Sequence, residues 1–360
     1  MLFNYEPQIT EDDIEAVSQC MREGIAVPSH IEKCEKLFEE QFDLNALLCS
    51  SGTSALHVAL LMAGIKKGDE VICPSLTFAA SWNVIEYCGA IPIFVDIDPF
   101  SWCMSIEDVQ KKISKKTKAI LAVDLFGVPC EYEKLKVICK ENNIALIQDA
   151  AESLGSLYNS QSVLEQGDIS ISSFNLNKII TSCGGGALIC KDKKVIAKAK
   201  KLINQNKKGS SYDYHGLGYN YRMGAINAAL LSSQIKRFKD VLKRKRSIHL
   251  KYINSLSSLG VRFQIPHPRS WSNMWVTVVR FDNKKQRDKV RKALAKHDIE
   301  AKNIFRPACN VNWIKKKYNL KSAKNAKDLY QTTLILPSSV SITDEEIERV
   351  SEVVRSCFDI

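Results

Sequence analysis

The stretch that decides the fold is NALLCSSGTSALHVALLMAGIKKGDEVICPS, residues 45–75. NALLCSS is an apolar run of strand length, GTSALHVALLMAGI has helical length and opens on Gly52 and Thr53, and DEVICPS is a second strand. Strand, helix, strand at this spacing is a βαβ unit. The rhythm continues through AIPIFVDI, AILAVDLF, IALIQDA and SISSFN, with helices such as YEKLKVICKENN between them. From about residue 45 to 190 the pattern therefore predicts an α/β architecture, a mostly parallel sheet with helices on both faces. Helical residues near 223–258 then lead to a second region, where WVTVVRF reads as strand, RDKVRKALAKHDI as helix and TDEEIERVSEVVRSCF as a closing helix. A boundary near 245, inside a long connecting helix, divides a large domain, 1–245, from a smaller C-terminal α/β domain, 246–360.

Composition narrows the possible functions. A chain of 360 residues that is 45% hydrophobic can bury a sizeable core, so global disorder is excluded. No apolar run reaches membrane-spanning length, and MLFNYEPQITEDD is too acidic and polar for a secretory signal, so a cytoplasmic protein without membrane insertion is expected. The 12 cysteines are scattered singly with no CxxC pair, which argues against a disulfide scaffold and a metal site alike. The net charge of +11 concentrates in 191–208 and 235–247, both with helical spacing. These read as solvated helix faces, and no helix-turn-helix, RRM or zinc-finger pattern points to nucleic acid. The positive balance has one functional use, attraction of phosphate-bearing ligands.

In an α/β sheet, ligands bind at the carboxyl ends of the strands. SSGTS (50–54) there puts Gly52, Thr53 and Ser54 at a helix N-terminus, where amides and hydroxyls form a cup for phosphate. PSLTFAAS (74–81) places Phe78, a flat apolar ring, just after a strand. IALIQDAAES (144–153) ends an apolar strand on Asp149, a carboxylate that is costly there without a cationic partner. SSFNLNKIITSCGGG (172–186) supplies Ser173, a second phosphate hydroxyl, and Lys178, a lone amine flanked by Phe174, Leu176, Ile179 and Ile180. A lysine short of water becomes a usable nucleophile. Pyridoxal phosphate needs all four parts: a phosphate cup, a plate for its ring, an acid to keep its pyridine protonated, and an amine for its aldehyde.

These segments carry a resemblance. SSGTSALHVAL, GIKKGDEVICPSLTFAASWNVIEYCGAIPIFVDID, KTKAILAVDLFGVP, QDAAESLGS, SFNLNK and GYNYRMGAINAALLSSQI resemble, in order and along nearly the whole chain, the DegT/DnrJ/EryC1/StrS sugar aminotransferases. The resemblance implies a pyridoxal 5′-phosphate-dependent transferase of fold type I, the aspartate aminotransferase fold, working in amino-sugar and polysaccharide biosynthesis. It implies that Lys178 forms the Schiff base and shuttles the proton, that Asp149 binds the pyridine nitrogen and that Phe78 stacks on the ring. Gly52, Thr53, Ser54 and Ser173 would take the phosphate, and Glu152 stands where many members have Gln near the phenolic oxygen. It further implies a homodimer with shared active sites, in which Asn220 and Arg222 of the GYNYRM loop reach the neighbouring subunit.

The implied substrates are L-glutamate and a nucleotide-linked keto-sugar. DAAES, SFNLNKIIT and the triplet Gly184, Gly185, Gly186 resemble the branch acting on UDP-linked 4-keto-6-deoxy sugars with a C2 acetamido group, aminated at C4. Cys183 occupies the place of a common Glu, Gln148 replaces a Glu before the aspartate, and Phe305-Arg306-Pro307-Ala308-Cys309 stands where that branch has a His-bearing segment. Lys302 and Arg306 are the cations left in that region for the substrate. The alternatives are a 3-keto nucleotide-sugar or cyclitol aminotransferase of the same family, or a non-catalytic regulatory member. The family's dehydratases lack the lysine, so Lys178 argues against that activity.

Overall fold

The computed structural model describes residues 1–208, 212–320 and 323–358. Its main sheet has seven strands: β1 (Ala46–Cys49), β2 (Glu70–Pro74), β3 (Ile91–Val95), β4 (Thr117–Val123), β5 (Ala145–Asp149), β8 (Ile169–Ser173) and β9 (Gly186–Ile189). Leu157–Tyr158 and Gln161–Ser162, β6 and β7, form a hairpin outside it that pairs with β11 (Ser270–Trp271). The main sheet runs in the order β1-β9-β8-β5-β4-β2-β3, parallel except that β9 is antiparallel to both of its neighbours.

The expected α/β class is what the chain adopts, with one difference of detail. β1 and β2 flank the helix Gly52–Met62, yet β1 lies at one edge of the sheet and β2 beside the other. The sequence pattern gives strand and helix but not the distance the helix travels. Its buried Leu56, Val58, Ala59 and Leu60 pack on one face with Ala119, Leu121, Ile147 and Ile171. The alternate residues Ile120, Ala122 and Leu146 pack on the other face, as the twofold periodicity of a strand requires.

The second sheet, β10 (Arg262–Phe263), β12 (Thr277–Arg280), β14 (Thr333–Leu336) and β13 (Lys302–Asn303), is wholly antiparallel. Its core joins Val279, Leu334 and Leu336 to Val290, Leu294, Ile347 and Val350 of the covering helices. The helix Phe238–Leu256 spans both units. Its Phe238 and Val241 belong to the large core, while Ile248, Tyr252 and Leu256 belong to the small one. The N-terminal residues, counted with the large domain from sequence, pair with the small one. Leu2 bridges Ile299, and the Asn4 amide donates to Glu300 Oε2 at 2.9 Å.

Candidate active site

The strands converge on one cleft. β2 leads to Thr77 and Phe78, β5 ends on Asp149, β8 on Ser173, and antiparallel β9 begins at Gly186 on the same side. These ends, the helix start at Gly52, the loop carrying Lys178, and Trp275 and Phe305 from the C-terminal part enclose a cavity of about 270 Å³.

At the closed end, β9 presses against the helix start. A Cβ on Gly186 would lie 2.5 Å from the Gly52 amide nitrogen, and one on Gly52 would lie 2.8 Å from Ser173 Cβ and 3.0 Å from its Oγ. Only hydrogen fits at either place, so the backbone of the first helical turn and the Ser173 hydroxyl meet in a tight cradle. Ser51 caps this helix, accepting from the Ser54 amide at 3.0 Å. The Ser54 hydroxyl returns the cap, accepting from the Ser51 amide and donating to the Ser51 carbonyl at 2.8 Å. Its place is thus in the capping box rather than on the cavity wall, where Ser51, Gly52 and Thr53 stand.

Asp149 is 5% exposed. Its carboxylate accepts from Ser81 Oγ at 2.9 Å and the Ala151 amide at 3.2 Å. Ser81 is itself held by Thr77 Oγ1 at 2.8 Å. Burial raises the Asp149 pKa above its ordinary value, with these donors and Lys178 pulling the other way. A carboxylate so placed gains most from a buried cation at the cavity side.

The loop 174–185 follows β8, and its ends are tied. The Phe174 amide donates to the Gly185 carbonyl at 2.9 Å, and the Ser182 amide donates to the Phe174 carbonyl at 2.9 Å. Phe174, Ile179 and Ile180 are buried. Lys178 is accordingly short of water: its side chain is 11% exposed, with Nζ 3.5 Å from Glu152 Oε1 and 4.2 Å from the centroid of the Trp275 ring. The second oxygen of Glu152 accepts from the Phe126 amide at 2.8 Å. Burial, the foremost cause, pushes the Glu152 carboxyl up to about 7, against the pull of Lys178 and the Phe126 amide.

Phe78 is 58% exposed, its ring tilted against Phe305 at 5.7 Å between centroids. The remaining predicted residues lie elsewhere in the chain. Asn220 bridges Asn204, and Arg222 bridges Cys49 and lines a separate hollow with Glu35, Leu48 and Lys200. Lys302 Nζ is 3.1 Å from Glu300 Oε1 and 5.0 Å from the Tyr5 ring, and Arg306 is exposed. The cavity also brings in Asn175, Asn177, Trp275 and Phe305, which motif reading did not assign. Trp275 opens the WVTVVRF segment, where its only sequence signal is that of a strand start.

A buried amine facing a buried carboxylate, beside a helix N-terminus that leaves room for an anion, is the site of a cofactor-dependent group-transfer enzyme. The chain belongs to the DegT/DnrJ/EryC1/StrS aminotransferase family, whose model matches residues 7–355. It is 36% identical to a GDP-perosamine synthase of Escherichia coli O157:H7, over 98% of each chain. It is 32% identical to a GDP-perosamine synthase of Vibrio cholerae, over 99% of this chain and 98% of that one. Among solved structures, the aminotransferase TlmJ from Streptoalloteichus hindustanus superposes with a TM-score of 0.93 at 25% identity, over 99% of this chain and 98% of the other. The chain is thus a sugar aminotransferase, and its cofactor is pyridoxal 5′-phosphate. The residues present fit that group, because the Gly52–Ser173 cradle has no room for a side chain and Asp149 keeps its carboxylate at the cavity wall. Among the described residues no helix is long and apolar enough to cross a membrane.

Proposed function

We propose that this enzyme moves an amino group from L-glutamate to C4 of a nucleotide-linked 4-keto-6-deoxy hexose. The observation that carries the chemistry is the position of Lys178, a water-poor amine 3.5 Å from a buried carboxylate in the cavity that Asp149 also lines. Bound pyridoxal phosphate supplies the carbonyl that carries the amino group and the electron sink for the neighbouring carbon. Gly52 and Thr53, at the positive end of their helix, hold its phosphate with Ser173. Asp149 keeps a proton on its ring nitrogen, and Phe78 supports its ring. Lys178 moves the proton at the carbon that gains or loses the amino group.

Asn220 and Arg222 line no part of their own chain's cavity, which supports a homodimer in which they complete the partner's site. Mixing Lys178→Ala with Arg222→Ala subunits, each inactive alone, should then restore part of the activity; no recovery would argue against the shared site.

The two GDP-perosamine synthases, matched over nearly their full length, favour GDP as the nucleotide and C4 as the position aminated. DAAES and SFNLNKIIT with the glycine triplet 184–186, which resemble the branch acting on such substrates, support a second reading, a UDP-linked sugar with a C2 acetamido group. A panel of GDP-, UDP- and dTDP-linked 3-keto and 4-keto sugars with glutamate, with the amine located by NMR, decides between them. Amination only at C3 would overturn the regiochemistry and leave the amino transfer intact.

A further inference from the structure

Trp275 is 1% exposed, and each of its polar groups is fixed. The indole Nε1 donates to the Asn177 carbonyl at 2.7 Å, the amide donates to Asn273 Oδ1 at 2.9 Å, and the carbonyl accepts from Lys245 Nζ at 2.9 Å. Lys245 is itself buried in the helix that joins the two units, and also donates to the Ser338 carbonyl at 2.5 Å. The Trp275 ring lies near-parallel to that of Tyr5, 6.1 Å away. A side chain held from so many directions is a fixed surface.

What that surface meets is the amine. The indole N–H grips the backbone of Asn177, one residue before Lys178, while the ring face lies 4.2 Å from Lys178 Nζ. Glu152, anchored by the Phe126 amide, stands against the same nitrogen. A lysine ammonium over an indole face is attracted to its π electrons, more strongly where water is excluded. In the amino transfer proposed above, on which this inference rests, Lys178 is joined to the cofactor in one stage and free in another. A free lysine has a four-carbon flexible stem and must return to one place.

We propose that Trp275 is a further catalytic residue: its indole face and the Glu152 carboxylate form a cradle that holds the Lys178 amine whenever it is free. Lys245 acts through Trp275 and is a positioning residue.

The test uses the cofactor-free protein and brief treatment with acetic anhydride, with each acetylated lysine quantified by mass spectrometry. Trp275→Leu removes both the cover and the π attraction, so Lys178 should be acetylated about 5- to 30-fold faster. The exposed Lys140 and Lys243 serve as internal references and should not change. Trp275→Phe keeps an aromatic face and should bring the rate back toward wild type. Equal labelling of Lys178 in wild type and Trp275→Leu overturns the proposal. Should that variant not fold, as judged by its melting curve, equal labelling in the near-isosteric Glu152→Gln overturns it instead. Reconstituting the wild type with pyridoxal phosphate tests the underlying reading separately. Failure of borohydride to fix the cofactor to Lys178 sinks the cofactor role, while the labelling ratio still reports on the cradle.

Discussion

At the closed end of the cavity a Cβ on Gly52 or Gly186 would collide with neighbouring backbone or side chain at 2.8 Å or less, whereas at the open end Phe78 is 58% exposed and leans on Phe305, the chain neighbour of solvent-facing Arg306. The closed end is made from the helix start at Gly52 and strand ends of one sheet, whose backbones are held by their paired neighbours. The open end joins Phe78, from the loop after β2, to Phe305 of the C-terminal part. Under the proposed amino transfer, the closed end would hold the cofactor and the open end would be free to vary with the substrate. A cradle with no spare room tolerates one cofactor, while an open rim can change side chains without disturbing the fold.

Of the substitutions that would separate the two ends, the one at the amine should cost most. Lys178→Ala should retain cofactor through the phosphate cradle and Asp149 while turnover falls about 10³- to 10⁴-fold, measured with glutamate in single-turnover experiments. Asp149→Asn keeps the shape but cannot pair with a protonated ring. Breaking a buried charge pair costs roughly 3–5 kcal/mol, so activity should fall on the order of 10²- to 10⁴-fold; near-wild-type turnover would show that another group does this work. Gly52→Ala forces a methyl against Ser173, and cofactor affinity should weaken about 10-fold or more by equilibrium titration, with the melting temperature of the cofactor-free protein monitoring the fold. If the open end serves only the sugar, Arg306→Ala should raise the KM for the nucleotide sugar about 3- to 10-fold and leave the glutamate half of the reaction unchanged.

The smallest effect is a pH dependence. Burial raises the Glu152 carboxyl from 4.5 to about 7 in the folded chain. Between those values the folded protein keeps a proton that the unfolded chain has lost, so the contribution of this group to stability is full at low pH and declines as pH rises toward 7. Asp124, pushed up to about 6 by burial, and Asp149 slope the same way. The difference between wild type and Glu152→Gln isolates the one group. In the cofactor-free protein the variant should show a flatter fall of melting temperature from pH 4.5 to 7, and parallel curves would remove Glu152 from the account.

The same contrast explains what the sequence discloses. Gly52, Thr53, Asp149, Ser173 and Lys178 sit at or just after strand ends, in short contiguous segments whose apolar runs announce the strands. Trp275 and Phe305 reach the cavity from more than 90 positions beyond Lys178, through the packing of a second sheet, and no local pattern marks them. The antiparallel insertion of β9 is hidden for a related reason. GALI is an apolar run like its parallel neighbours, and its direction follows from the loop 174–185, which holds no crossover helix and returns the chain beside β8. Ser54 shows the converse, a residue in the right segment whose hydroxyl is engaged by the helix cap.

The helix Phe238–Leu256 has a consequence for how the molecule can be taken apart. Its first turn is buried with the large core and its later turns with the small one. A cut at residue 245 would sever a continuous hydrogen-bonded rod and leave Phe238 and Val241 on one fragment and Ile248 and Tyr252 on the other, each on a stub too short to stay helical alone. The C-terminal part is therefore not a cartridge that can be exchanged at that point. Grafting a relative's rim onto this scaffold needs a junction outside Phe238–Leu256, so that the rod passes whole to one side and only one of its two packed ends has to be rematched.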